Sequence, residues 1–204
     1  MNFSRVIVLL LILLIGVGYV SWHVWQLLPM TVTGKWVVTS ALLLCLVCFF
    51  TNFIFGLDDK PMSVAVALYE LGNSSLFIGF YLLLFFLVLD LGRLFHLVPR
   101  SFLYNSWIGT VSVIVIMTGL FVYGYFNYLH KERVPMVLNS DKPFHQPHRL
   151  VMMSDLHLGY HNRADEFRKW VDMINEENPE VILIAGDIID RSIRALIDQD
   201  IASE

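Results

Sequence analysis

The chain has 204 residues, of which 56% are apolar and 16% charged, with a formal net charge of −4. A mean hydropathy of +0.63 is too high for a soluble globular protein. The acidic balance speaks against a nucleic-acid-binding surface. Residues 1–129 carry five Lys or Arg and four Asp or Glu, whereas residues 130–204 carry nine and fourteen.

Four apolar stretches meet the length of roughly 20 residues that a bilayer crossing needs. They run from Val6 to Leu28, Trp36 to Leu57, Leu71 to Leu89 and Trp107 to Leu129. Trp22, Trp25, Trp36, Trp107, Tyr125 and Tyr128 lie near their ends, where amphipathic rings settle at the headgroups. The other reading of the first stretch is a cleaved leader with Arg5 as its charged flank. Its apolar run is too long for that, and it lacks a small-x-small cleavage site. Glu70, Asp90, Arg93 and His23 fall at span ends, where anchoring in the headgroup layer is the expected role. Gly72, Asn73, Ser74 and Ser75 suit close helix packing or a polar cavity. Cys45 and Cys48 sit within the second stretch without a second Cys pair, so they are read as small apolar side chains.

An even number of crossings places the amino terminus and the acidic tail on one side of the membrane. Arg5, Lys60, Lys131 and Arg133 lie on that side, against Lys35, Arg93 and Arg100 on the other. The bias of four to three favours a cytoplasmic tail.

Residues 130–148 contain Pro135, Pro143 and Pro147 and read as an extended linker. Met136 to Leu138 form a candidate short strand. His145 and His148 have ligand chemistry but sit in a solvated, Pro-broken loop. From Arg149 the pattern changes. Leu150 to Met153 and Val181 to Ala185 are short apolar runs that read as strands, the second apolar on both faces, as in a strand covered on both sides. Between them, Phe167, Trp170, Val171 and Ile174 recur at helical spacing, with Asn162 as N-cap, acidic Asp165 and Glu166 in the first turn, and a stop at Asn178-Pro179. Strand, helix and strand make one crossover unit. Ile193 to Glu204 reads as the start of another helix.

The chemistry sits where those strands end. Ser154-Asp155-Leu156-His157-Leu158-Gly159 follows the first, and Gly186-Asp187-Ile188-Ile189-Asp190 the second. Open α/β sheets place ligands at the carboxyl ends of their strands. Two carboxylates and one imidazole suit a divalent transition metal that keeps positions open for water and substrate. Gly186 and Gly159 let the backbone turn off each strand close to such a site.

Asp-x-His followed by Gly-Asp-x-x-Asp resembles the opening half of the calcineurin-like metallophosphoesterase superfamily over Arg149 to Arg194. The resemblance implies an α/β/β/α sandwich, of which this chain holds a β-α-β unit, and the apolar stretches put four transmembrane α-helices before it. With the apolar stretches and the Pro-broken connection, this divides the chain into a four-helix transmembrane region, 1–129, a linker, 130–148, and the amino-terminal part of the phosphoesterase domain, 149–204. The resemblance further implies two divalent ions (Mn, Fe or Zn), with Asp155 and His157 binding one and Asp187 bridging both. Asp190 and His161 are assigned supporting roles, His161 as a substrate or phosphate contact. The implied activity is hydrolysis of a phosphomono- or phosphodiester by a metal-activated water, and a membrane anchor makes a lipid-linked phosphoester an attractive substrate. The family's later Gly-Asn-His motif is absent, and no histidine follows His161. The 204 residues are therefore expected to be part of a longer enzyme and inactive alone. The alternative is an integral membrane scaffold or lipid-interacting protein with a non-catalytic remnant.

Overall fold

A computed structural model describes residues 3–139, 141–142 and 146–201, and within the first helix the side chains of 3–7, 9 and 10 stand outside the description. His145 and the side chain of Arg5 therefore lie outside the described residues. The chain divides into two compact units, Met1–Ile54 with Leu71–Glu132, and Phe55–Glu70 with Arg133–Glu204.

The first unit is helical. It contains α1 (Phe3–Leu27), α2 (Val32–Phe55), most of α3 (Met62–Leu94), the short α4 (Arg100–Leu103) and α5 (Trp107–Leu129). Among the described residues three helices, α2, α3 and α5, are long and apolar enough to cross a membrane, and the described apolar part of α1, Leu11–Leu27, is shorter. Their outward faces carry large exposed apolar side chains such as Ile15, Leu44 and Ile108, which in water would be costly and in lipid are matched. Inside, Val20, Val24, Leu27, Leu82, Phe86, Leu103, Val113 and Met117 form the core.

Small residues set the closest approaches in this unit. A Cβ on Gly109 would stand 2.0 Å from the Phe102 carbonyl, and one on Gly72 would stand 2.9 Å from Phe49 Cα. Both glycines let backbones meet where dispersion, rather than water exclusion, drives packing. The end of α1 is fastened to the turn before α5: Asn105 N–H donates to Gln26 O at 2.7 Å and Ser106 N–H to Leu27 O at 2.9 Å. Ser106 then caps α5, accepting from Gly109 N–H at 3.0 Å.

The third helix exceeds its expected span, Leu71 to Leu89, at both ends. Charges at Glu70 and Asp90 limit an apolar stretch but do not stop a helix. It begins after Pro61, whose carbonyl accepts Ala65 N–H at 2.9 Å. His96, at φ +57°, closes it, with Leu97 N–H returning to Gly92 O at 2.8 Å. Asp90 has partners on two helices. It accepts from Tyr19 Oη at 2.8 Å, and His23 Nε2 and Arg93 Nη1 lie 3.0 and 3.4 Å away. His23 is buried and stacked on Phe86.

In the second unit, β1 (Leu150–Met153) and β2 (Val181–Ile184) pair in parallel, Leu150 opposite Val181 and Met153 opposite Ile184. The connecting helix α6 (Ala164–Glu176) turns Phe167 and Trp170 towards Leu156, Leu158 and Ile201. A last short helix, α7 (Arg194–Asp198), follows. Three local expectations change. Asn162 does not cap α6; it is buried and donates from Nδ2 to Leu156 O at 2.8 Å, bracing the loop after β1, and Arg163 takes the cap position. Met136 to Leu138 form no strand, remaining exposed without a ladder partner among the described residues. Both faces of β2 stay open, its side chains 45–47% exposed, because α6 and α7 do not cover the sheet.

Phe55–Glu70 belongs to this second unit. Leu57 and Ala65 share a buried cluster with Tyr160 and Ala195. Arg194 Nη1 donates to the Leu57 carbonyl at 3.2 Å and also to the Asp58 carbonyl.

Candidate metal centre

Beyond β1 and β2 the two chains stay hydrogen-bonded as they leave the sheet. Ala185 N–H donates to Met153 O at 2.8 Å, His157 N–H to Asp187 O at 2.9 Å, Leu158 N–H to Ile188 O at 2.8 Å, and Asp190 N–H to Leu158 O at 3.0 Å. The loops carrying the two motifs are thus one paired structure. Within it Asp155, His157 and Asp187 adopt left-handed backbone conformations, with φ of +56°, +43° and +49°, and Gly186 has φ +94°. Such values are uncommon for residues with a Cβ, although Asp and His tolerate them better than most. Three in one pair of loops mark stored backbone strain of the kind that gathers at functional sites.

The result is a convergence of donor atoms. One ligand atom from each of Asp155, His157 and Asp187 lies within 4.8 Å of the others. His157 Nε2 is 3.9 Å from Asp155 Oδ1 and 4.0 Å from Asp187 Oδ2. Two ligands each about 2.1 Å from a single ion are at most about 4.2 Å apart. Both histidine-to-carboxylate distances fall inside that limit. The side chains are 66%, 49% and 70% exposed in chain order, so an ion here keeps open positions. Two carboxylates and an imidazole fit a borderline divalent cation. Clustered carboxylates also repel each other unless a cation offsets them.

The other sequence candidates are placed differently. Asp190 turns away from the cluster, accepting from Tyr69 Oη at 2.5 Å while its Cβ lies against Gly159. His161 Nδ1 is 2.6 Å from Glu70 Oε1. His148 Nδ1 is 2.6 Å from Glu180 Oε2, a pairing that holds the Glu180 carboxyl below its usual range. Sequence reasoning missed Asp58, Tyr69 and Tyr160. Tyr160 Oη donates to Asp58 Oδ1 at 2.8 Å. Hydrogen bonds from Ser192 and Tyr160 lower the Asp58 pKa, and burial followed by the Asp58 bond raises that of Tyr160. The available signal was the polar run Asp58-Asp59-Lys60 between two apolar stretches, which had to dock somewhere.

Residues 148–203, which contain both motifs, match the family model of the calcineurin-like phosphoesterases, a superfamily of hydrolases that are generally dinuclear metal enzymes. With the apolar helices, this supports a membrane-associated member of that superfamily. Over 151 residues the chain is 28% identical to a zebrafish (Danio rerio) protein described as "Transmembrane protein with metallophosphoesterase domain". That alignment covers 70% of this chain and 34% of the relative, so the chain spans about a third of the relative's length. No solved structure matches.

Proposed function

We propose that this chain carries the first part of the catalytic centre of a membrane-anchored, metal-dependent phosphoesterase acting on a phosphomono- or phosphodiester. The observation that carries the reading is the convergence of Asp155, His157 and Asp187 at the ends of two paired parallel strands. In this reading Asp155 and His157 would hold one divalent ion (Mn, Fe or Zn), and Asp187 would serve it and a second. The bound ions would supply charge neutralisation at the phosphoryl oxygens and acidify a water that attacks phosphorus. The chain's own part is to preorganise three ligands on strained, hydrogen-bonded loops and leave one face open to substrate. The remaining ligands of the second ion are proposed to come from outside these 204 residues, since no Gly-Asn-His occurs in them.

The membrane region is proposed to be residues 1–129 with four crossings, α1 being the first, joined by 130–148 to the catalytic segment 149–204. Two features support this topology. The end of α1 is hydrogen-bonded to the turn before α5, and the α2–α3 turn belongs to one compact unit with the catalytic segment. Both are met if that turn and the segment share one side of the bilayer, which the charge bias makes cytoplasmic. A tethered site favours a lipid-linked phosphoester. The comparisons do not favour the scaffold alternative.

The test is hydrolysis of bis(4-nitrophenyl) phosphate by the complete natural protein in lipid nanodiscs, with and without Mn²⁺. Turnover is expected to require the metal and to fall roughly a hundredfold or more in Asp187→Ala. Near-normal turnover in that variant would refute the reading.

A further inference from the structure

Nothing in the side-chain packing holds the three ligands. Each is about half exposed or more, so their positions depend on the loops beneath them. Those loops are held in turn from a distant part of the sequence. Tyr69 Oη donates to the Asp190 carboxylate at 2.5 Å. Asp190 donates its own N–H to Leu158 O at 3.0 Å, one residue beyond His157. Gly159 sits so close that a Cβ there would stand 3.2 Å from Asp190 Cβ. Alongside, buried Tyr160 donates to Asp58 at 2.8 Å and its ring centroid lies 5.7 Å from that of Tyr69. His161 pairs with Glu70 at 2.6 Å. Three side-chain bridges thus tie residues 160, 161 and 190 to residues 58, 69 and 70.

We propose that the segment Leu57–Glu70, between the second and third long helices, is a positioning element for the metal centre, with the Tyr69 hydroxyl fixing Asp190 and through it the loop that carries His157. This rests on the metal reading above. Tyr69 and Asp190 are positioning residues; neither touches the ion or the substrate. In this arrangement the segment connecting two candidate membrane helices sets the geometry of the catalytic loops.

The experiment is Mn²⁺ binding, read by electron paramagnetic resonance, in the complete natural protein and in Tyr69→Phe, Asp190→Asn and the double variant. Tyr69→Phe keeps the ring against Tyr160 and removes only the hydroxyl. Each single variant is expected to weaken Mn²⁺ binding roughly three- to tenfold, and the double variant no further than either single one, because both break the same link. Arg133→Ala, which removes an exposed pairing with Glu176 and Glu177, is expected to bind Mn²⁺ as wild type does. Unchanged binding in Tyr69→Phe, or fully additive losses in the double variant, overturns the proposal. If Tyr69→Phe fails to fold, Asp190→Asn alone decides, with unchanged Mn²⁺ binding again overturning it. Wild-type protein that binds no Mn²⁺ counts instead against the metal reading itself.

Discussion

The main-chain N–H of His157 donates to the carbonyl of Asp187 at 2.9 Å, so a residue of the first motif is bonded directly to a residue of the second. The bond uses backbone only, and the side chains of the cluster are left free to serve as ligands. Folding and binding are therefore separable here. Asp155→Asn and Asp187→Asn, which keep a residue type that tolerates the left-handed backbone, are expected to change stability by no more than about 0.5 kcal/mol. Thermal melting in the absence of added metal checks this. A large drop would mean that these carboxylates hold the loops rather than wait for a ligand.

The glycines of the two motifs are expected to respond differently to a methyl group. Gly186 has open space around its Cβ position but φ of +94°, so Gly186→Ala meets backbone strain of about 1–2 kcal/mol and shifts Asp187. Gly159 has no such φ and meets only Asp190 Cβ at 3.2 Å, a contact relieved by a small shift. Denaturation followed by far-ultraviolet circular dichroism should rank Gly186→Ala as the more destabilised, and the reverse order would show that packing, not conformation, governs the turn.

Among the helices, Gly109→Ala is expected to be severe, since its Cβ would lie 2.0 Å from the Phe102 carbonyl and 2.8 Å from Leu27 Cδ1. The helices must separate, at a cost of about 1–3 kcal/mol or more. Gly119 has nothing within 4 Å, and Gly119→Ala is expected to be neutral or to stabilise by up to about 1 kcal/mol through helix propensity. Folded yield in detergent against temperature distinguishes the two.

The contact between Asp58 and Tyr160 carries a pH signature. The Asp58 pKa is lowered in the folded protein from an ordinary value of 3.8, so its stabilising contribution is complete above that value and is lost as pH falls through the depressed folded pKa. Hydrogen exchange across 57–70 is expected to show equal protection at pH 5 and pH 7, once corrected for intrinsic rates. Protection should fall only below about pH 4. Loosening between pH 7 and 5 would show that Asp58 is not the controlling group.

The parts legible in the sequence were those with short-range causes. Apolar runs announced α2 and α5, alternating helical spacing from Phe167 to Ile174 announced α6, and the motifs located Asp155, His157 and Asp187 at strand ends. The length of α3 was not legible, because Glu70 and Asp90 interrupt hydropathy without interrupting a helix. Nor was the role of Asn162, whose side chain bonds to Leu156 O across the loop although its position in sequence suits a cap. The bridges from Asp58 and Tyr69 to Tyr160 and Asp190 span 102 and 121 residues. Local pattern carries no trace of such pairings, and only the folded backbone brings them together.

Isothermal calorimetry with Mn²⁺ probes the three-ligand site most directly. The intact protein should take up Mn²⁺ with measurable heat, and Asp155→Ala, His157→Ala and Asp187→Ala should each weaken that uptake by roughly tenfold or more while remaining folded. Equal Mn²⁺ uptake by wild type and all three variants would mean that these side chains do not share a cation.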